Sequence, residues 1–204
     1  MNATLHKLPS RRVNQTERLL TRIPNAKMRP SGENLSDEQM RKLIKAARSN
    51  HYGARDALMV ELAWYHGLRA SELCGLTWDD IRPGRLPTLY IRRAKGGASG
   101  ANPLSAEHLR ALNALKPAEP GPAIFISERD EAFTPGGVAK MVERAGIKAG
   151  FKFKAHPHQL RHACASHLAP KLSQLELAAH LGMKDPRTLG HYYSGDPERR
   201  RHKW

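Results

Sequence analysis

HPHQLRHACASH, residues 156–167, places four histidines, one arginine and one cysteine within twelve positions. Taken alone, the stretch fits a metal site, the working face of an enzyme, or a histidine-rich helix without chemistry. Pro157 suits the first position of a helix, since its missing N–H would be unpaired there anyway. On that helix His158 and His162 share a face, the spacing of helical zinc ligands. The helical metalloprotease motif, however, needs a glutamate directly after its first histidine, and Gln159 stands there. No second cysteine lies nearby to complete a structural cluster, and Arg161 on the same turn would repel a dication. The decision has to come from the rest of the chain.

Composition narrows the partners. The 204 residues suffice for one domain with a core and a short appendage, and a hydrophobic share of 40% suits a folded chain. Lys and Arg number 34 against 19 Asp and Glu, a formal charge of +15. Such an excess points to a polyanion: nucleic acid ahead of an anionic membrane surface, with a basic protein lacking either partner as the bland alternative. No apolar run approaches the ~20 residues that span a bilayer, and the basic N-terminus lacks the apolar centre of a signal peptide. A cytoplasmic protein without a membrane partner is expected. Cys74 and Cys164 then read as small buried hydrophobes rather than as a disulfide.

Along the chain, residues 1–33 carry Lys7, Arg11, Arg12, Arg18, Arg22, Lys27 and Arg29 against Glu17 and Glu33. Pro24, Pro30 and Gly32 punctuate their end, which predicts a basic arm and linker. A folded domain over 34–204 opens at Ser36 and Gln39, the two ends of a capping box. Met40, Leu43, Ile44 and Ala47 then share one helical face. RDALMVELAWYHG reads as a buried helix stopped by Gly67. TLYIRR, the loop KGGASGAN and PLS suggest a small antiparallel sheet, and AIFI, 123–126, reads as a further short strand. Amphipathic or capped segments follow: Ser105–Leu115, a helix begun by Thr134 and Pro135, the opening stretch, and one capped by Ser173 and ended at Gly182. The expected class is α+β, mainly helical.

The enzyme reading pairs the histidine helix with distant groups. Arg69 follows Gly67 at the start of a helix, where backbone N–H groups favour an anion. Lys95 sits at the hairpin tip before two glycines, and Tyr192 and Tyr193 lie near the C-terminus. Two arginines, a lysine, a histidine and a tyrosine suit metal-free, cofactor-free cleavage of a phosphodiester. Guanidinium groups hold the non-bridging oxygens bidentately and stabilise the charge of the phosphorane. A tyrosine oxygen attacks and retains the phosphoryl group covalently. With a free pKa of roughly 10 it needs a proton acceptor, and the departing sugar oxygen needs a donor.

GLRASEL, a hairpin lysine, HQLRH, and LG followed ten residues later by tyrosine together resemble the tyrosine recombinase (phage integrase) family, in order and interval through residues 34–194. HGLRASELCGL and HPHQLRHACASHLA are specific in combination. The small size and YIRRAKGGASGANPL are most similar to short fimbrial-type DNA invertases, which lack a separate core-binding domain. The resemblance implies the tyrosine recombinase catalytic-domain fold and site-specific recombination of double-stranded DNA through a 3′-phosphotyrosyl intermediate. It also implies a homotetramer on DNA, with accessory DNA-bending proteins as possible partners. Arg69 and Arg161 match the catalytic arginines, and His158 the histidine expected to accept a proton and donate a hydrogen bond. Lys95 matches the general acid, Glu72 an orienting acidic residue, and Tyr192 the nucleophile. Met183 departs from the pattern, standing where the family has histidine or tryptophan, and it cannot donate a hydrogen bond. A cleavage-deficient DNA-binding regulator on the same fold is the alternative, disfavoured because all five catalytic positions are retained.

Overall fold

The computed structural model describes residues 34–94 and 96–193. The basic arm (1–33), Lys95 and the tail beyond Tyr193 lie outside the described residues. Helix α1 (Asp37–Arg48) begins as the sequence predicts: the Ser36 hydroxyl accepts from the Gln39 N–H at 3.2 Å, and the Gln39 amide oxygen accepts from the Ser36 N–H at 2.9 Å. Two orphan donors are thereby satisfied. Helix α2 (Gly53–Tyr65) is apolar nearly all round, and its Ala57–Val60, Leu62 and Ala63 are buried against neighbours on several sides.

A short helix α3 (Ala70–Cys74) and a 3₁₀ turn (Trp78–Asp80) lead into an antiparallel sheet of order β1-β2-β3: β1 (Ile81–Arg82), β2 (Thr88–Ile91) and β3 (Gly100–Pro103). Leu89 faces Asn102 and Ile91 faces Gly100 in the register. AIFI is not a strand. It forms no ladder: isolated bridges pair Thr77 with Ala123 and Ile126 with Ala132, beside single backbone bonds to Leu76 and Phe133. Its apolar character reflects burial of Ile124 and Phe125 in the core, not pairing in a ladder.

Helices α4 (Ala106–Leu115), α5 (Pro135–Lys148), α6 (Pro157–Leu168) and α7 (Gln174–Leu181) follow, then a 3₁₀ turn (Pro186–Leu189) and α8 (Gly190–Tyr193). Thr134 and Ser173 cap α5 and α7 through their hydroxyls, and Pro135 and Pro157 occupy first turns. One core joins α1, α2, α5, α6 and α7, with Met40, Leu43, Met59, Leu62, Met141, Val142, Leu160 and Leu177 all fully buried. Among the described residues no helix is long and apolar enough to cross a membrane.

Candidate active site

The site is organised around one carboxylate. Glu72, in the first turn of α3, has a fully buried side chain. Its carboxylate accepts from the Arg69 N–H at 3.0 Å, the Arg69 guanidinium at 2.6 Å, the Arg93 guanidinium at 3.0 Å and the Ala94 N–H at 3.1 Å. Arg161 stands 4.0 Å away. Burial pushes this carboxyl's pKa up, but the hydrogen bonds from Arg69 and the charge of Arg93 outweigh it and leave the pKa below 4.5. At this helix start, where backbone N–H groups were expected to favour an anion, the Arg69 N–H is taken by the acid three residues on.

The second organiser is main chain. Gly67 adopts φ +58°, and a Cβ there would fall 2.3 Å from Leu181 Cδ2, so glycine is required by both backbone and space. Its carbonyl accepts from Arg161 at 2.5 Å and from Arg93 at 3.4 Å. Helix α7 supplies three more acceptors at its C-terminal end, where carbonyls have no partner within the helix and the helix dipole favours cations. The His180 carbonyl accepts from Arg93 and, at 3.2 Å, from Asn102. That of Leu181 accepts from Arg161 at 2.9 Å, and that of Gly182 from the Ala98 N–H at 3.1 Å. Gly182 closes the helix in the left-handed conformation, φ +64°. The hairpin loop between β2 and β3 thus docks onto the end of α7.

Arg93 is the residue that the sequence reading missed. Successive residues of an extended chain point to opposite sides. Arg92 accordingly turns outward to grip buried Asp80 with both terminal nitrogens at 2.6 Å, and Arg93 turns inward to Glu72. The paired arginines before the hairpin tip were the available signal. Three guanidinium groups, of Arg69, Arg93 and Arg161, then surround one carboxylate. Burial, with the charges of Arg69 and Arg93, lowers the Arg161 pKa to about 10, against the opposing pull of Glu72. Three guanidinium groups against one carboxylate leave the cluster short of negative charge, the condition for holding an anion.

Helix α6 carries the remaining groups. His158 is exposed, and burial with the charges of Arg161, His156 and Arg69 lowers its pKa below 6.5, so its ring is neutral at pH 7. The His162 ring lies edge-on to it at 4.5 Å, and His162 Nδ1 is hydrogen-bonded to the Tyr192 hydroxyl. Burial raises the Tyr192 phenol to about 12, while Arg161 pulls it down. The neighbouring Tyr193 hydroxyl donates instead to the Leu172 carbonyl at 3.1 Å. Met183 is half-buried against the core, its N–H bonded to the Ala178 carbonyl at 2.8 Å. His180 turns away from it, its Nε2 bonded to the Tyr65 carbonyl at 2.9 Å. His167 pairs with Asp37 at 2.8 Å. Cys164 is buried and Cys74 half-buried, and both are free. Among the described residues, no group of three or more His, Cys, Asp or Glu is placed to hold a metal ion.

The fold therefore gathers Arg69, Glu72, Arg161 and, through His162, Tyr192 around one region, with His158 on the same helix as Arg161; Lys95 is outside the described residues. Residues 33–199 match the phage integrase family. The chain belongs to that family. It is a site-specific tyrosine recombinase, an enzyme of DNA recombination. The type 1 fimbriae regulatory protein FimE of Escherichia coli (strain K12) is 32% identical over 175 residues, covering 81% of this chain and 87% of that protein. Tyrosine recombinase XerA of Pyrococcus furiosus is 34% identical over 141 residues, 67% of this chain and 48% of that protein. A crystal structure of XerA recombinase superposes with TM-score 0.68 at 26% identity, covering 82% of this chain and 62% of that one. A lambda integrase dimer bound to a COC′ core site gives TM-score 0.65 at 26% identity, with 84% and 49% covered. The chain thus spans about half to three-fifths of these solved recombinases.

Proposed function

We propose that this chain cleaves one strand of double-stranded DNA with Tyr192, retains the 3′-phosphate on the tyrosine oxygen, and rejoins it to a new partner strand. Arg69 and Arg161 hold the scissile phosphate and stabilise the phosphorane; Glu72 fixes Arg69 in place, and the Gly67 and Leu181 carbonyls fix Arg161. His158, neutral at pH 7, donates a hydrogen bond to a phosphate oxygen as charge develops in the transition state. Lys95 protonates the departing 5′-oxygen, and Met183 fills the position beside the phosphate without donating to it. No metal or cofactor takes part, because the charge-stabilising groups are side-chain cations.

One observation carries this reading: Arg161 is desolvated and surrounded by Arg69 and Arg93 with a single carboxylate to balance them. A structural arginine cluster of that kind would be costly, whereas a bound phosphodiester relieves it. The different placements of the two tyrosine hydroxyls favour Tyr192, since Tyr193 is committed to a backbone carbonyl.

Residues 1–33 form a basic arm that adds phosphate contacts, and residues 34–204 the catalytic domain. The lambda integrase structures include a tetramer bound to a Holliday junction, which supports assembly of four copies on DNA here. Accessory DNA-bending proteins are a further partner class, and the cytoplasm is the compartment.

The test is covalent trapping on nicked suicide duplexes drawn from inverted repeats near the gene, in excess EDTA. Wild type gives a protein–DNA band that Tyr192→Phe abolishes while DNA affinity stays within a few fold. Tight binding with no covalent complex on any functional site overturns the cleavage step assigned here to Tyr192.

A further inference from the structure

The Tyr192 hydroxyl has a partner whose role is unassigned by the reading above. His162 follows Arg161 directly and lies one helical turn after His158, so the two imidazoles share a face of α6, and His162 reaches α8 at Tyr192. The hydrogen bond of the hydroxyl runs to His162 Nδ1 rather than to His158. The His191 ring also packs against Tyr192, with centroids 3.9 Å apart, so the phenol is held where it meets His162. A tyrosine buried this far keeps its proton at neutral pH, and attack on phosphorus requires a base at the oxygen.

We propose that His162 is the catalytic base that accepts the Tyr192 proton during strand cleavage. The inference rests on Tyr192 being the nucleophile. As the tyrosine oxygen forms its bond to phosphorus, the O–H bond breaks and the proton passes to His162 Nδ1. The phosphorus–O5′ bond breaks in the same displacement, and the 5′-oxygen takes its proton from a separate acid, Lys95. In rejoining, a 5′-hydroxyl gives up its proton on that side and attacks phosphorus. The tyrosine oxygen leaves and recovers the proton from the His162 imidazolium. His158 is then reserved for the phosphate oxygens, and the two histidines divide the work: one serves the nucleophile, the other the charge on the phosphoryl group.

The test uses the full chain and the suicide duplex on which wild type forms its covalent complex. The duplex is made in two forms, one ordinary and one with sulfur replacing the bridging 5′-oxygen. Sulfur leaves without a proton, so the second form relieves any need for the acid but none for the base. His162→Asn keeps a hydrogen-bond acceptor near the position of Nδ1 but cannot carry the proton. The expected result is a fall of about 10²–10⁴ in single-turnover cleavage on both duplexes, the range typical of a lost general base. His162→Ala should recover speed in proportion to added imidazole free base. Cleavage by His162→Asn within threefold of wild type overturns the proposal. So does a defect that vanishes on the sulfur duplex, which would place His162 on the leaving-group side. A covalent complex formed by Tyr192→Phe overturns instead the reading on which the proposal rests.

Discussion

Replacing Glu72 by glutamine tests whether this carboxylate is the electrostatic keystone of the site. The side chain accepts four hydrogen bonds, at 3.0, 2.6, 3.0 and 3.1 Å. An amide oxygen can retain two of them, but the NH₂ group would face donors. Arg93, whose side chain is only 2% exposed, would lose its counter-charge while staying buried. Removing one partner of a buried pair costs about 3–5 kcal/mol. The part contributed by Arg69 is small, because its side chain is 32% exposed and water screens it. A loss of about 3–4 kcal/mol at pH 7 is therefore expected. At a slope of roughly 2 kcal/mol per molar urea, the unfolding midpoint falls by about 1.5–2 M. The sign with pH follows from the lowered carboxyl pKa. Stabilisation by Glu72 is fully present above the ordinary value of 4.5 and is lost as pH falls through the depressed folded value. The gap between wild type and Glu72→Gln should thus narrow only in acid. In an Arg93→Met background the same substitution should cost much less, since the two are coupled. A penalty under about 1 kcal/mol at pH 7, or one unchanged by the Arg93 substitution, would refute the reasoning.

Gly182→Ala should destabilise by about 2–4 kcal/mol in thermal or urea melts and abolish the covalent complex. Its Cβ would fall 2.5 Å from Arg93 Cγ and 2.7 Å from the Ala98 carbonyl oxygen, driving the hairpin off α7. Tyr193→Phe should cost about 1 kcal/mol for its lost bond to Leu172 and leave covalent trapping within a few fold of wild type. Met183→His should speed single-turnover cleavage by about tenfold with DNA affinity unchanged, short of the full 10²–10³ of a well-placed donor because the surroundings fit a thioether. Equal rates for wild type, Met183→His and Met183→Ala would show that the position takes no part in phosphate chemistry. DNA affinity should fall with salt at a log–log slope of about −7 if roughly eight phosphate contacts form, and a flat dependence in a binding titration would sink the nucleic-acid reading.

What was legible in the sequence had a local cause. The caps at Ser36, Thr134 and Ser173 and the stop at Gly182 each act within three or four residues, and each is where the spacing puts it. Arg69 with Glu72, and His158 with Arg161, are likewise neighbours on single helical turns. Arg93 was illegible because, Glu72 apart, its partners are carbonyls of His66, Gly67 and His180, and because Glu72 lies twenty-one residues away in the chain; a main-chain acceptor leaves no mark on residue type. AIFI misled for a related reason: an apolar run reports burial, and burial here comes without a paired strand. The histidine spacing that suggested a metal has another basis, since His162 is turned to a tyrosine thirty residues on.

The end of α7 also bears on how such a site can change over generations. Arg93, Arg161, Asn102 and the Ala98 N–H all read carbonyl oxygens of residues 180–182, not side chains. The grip on the arginines therefore constrains the path of the chain, above all the left-handed turn at Gly182, and is blind to what residue 183 carries. On the role proposed for residue 183, a mutation there alters the chemistry beside the phosphate without dismantling the cationic cluster. Reaction speed and DNA capture become separately heritable traits.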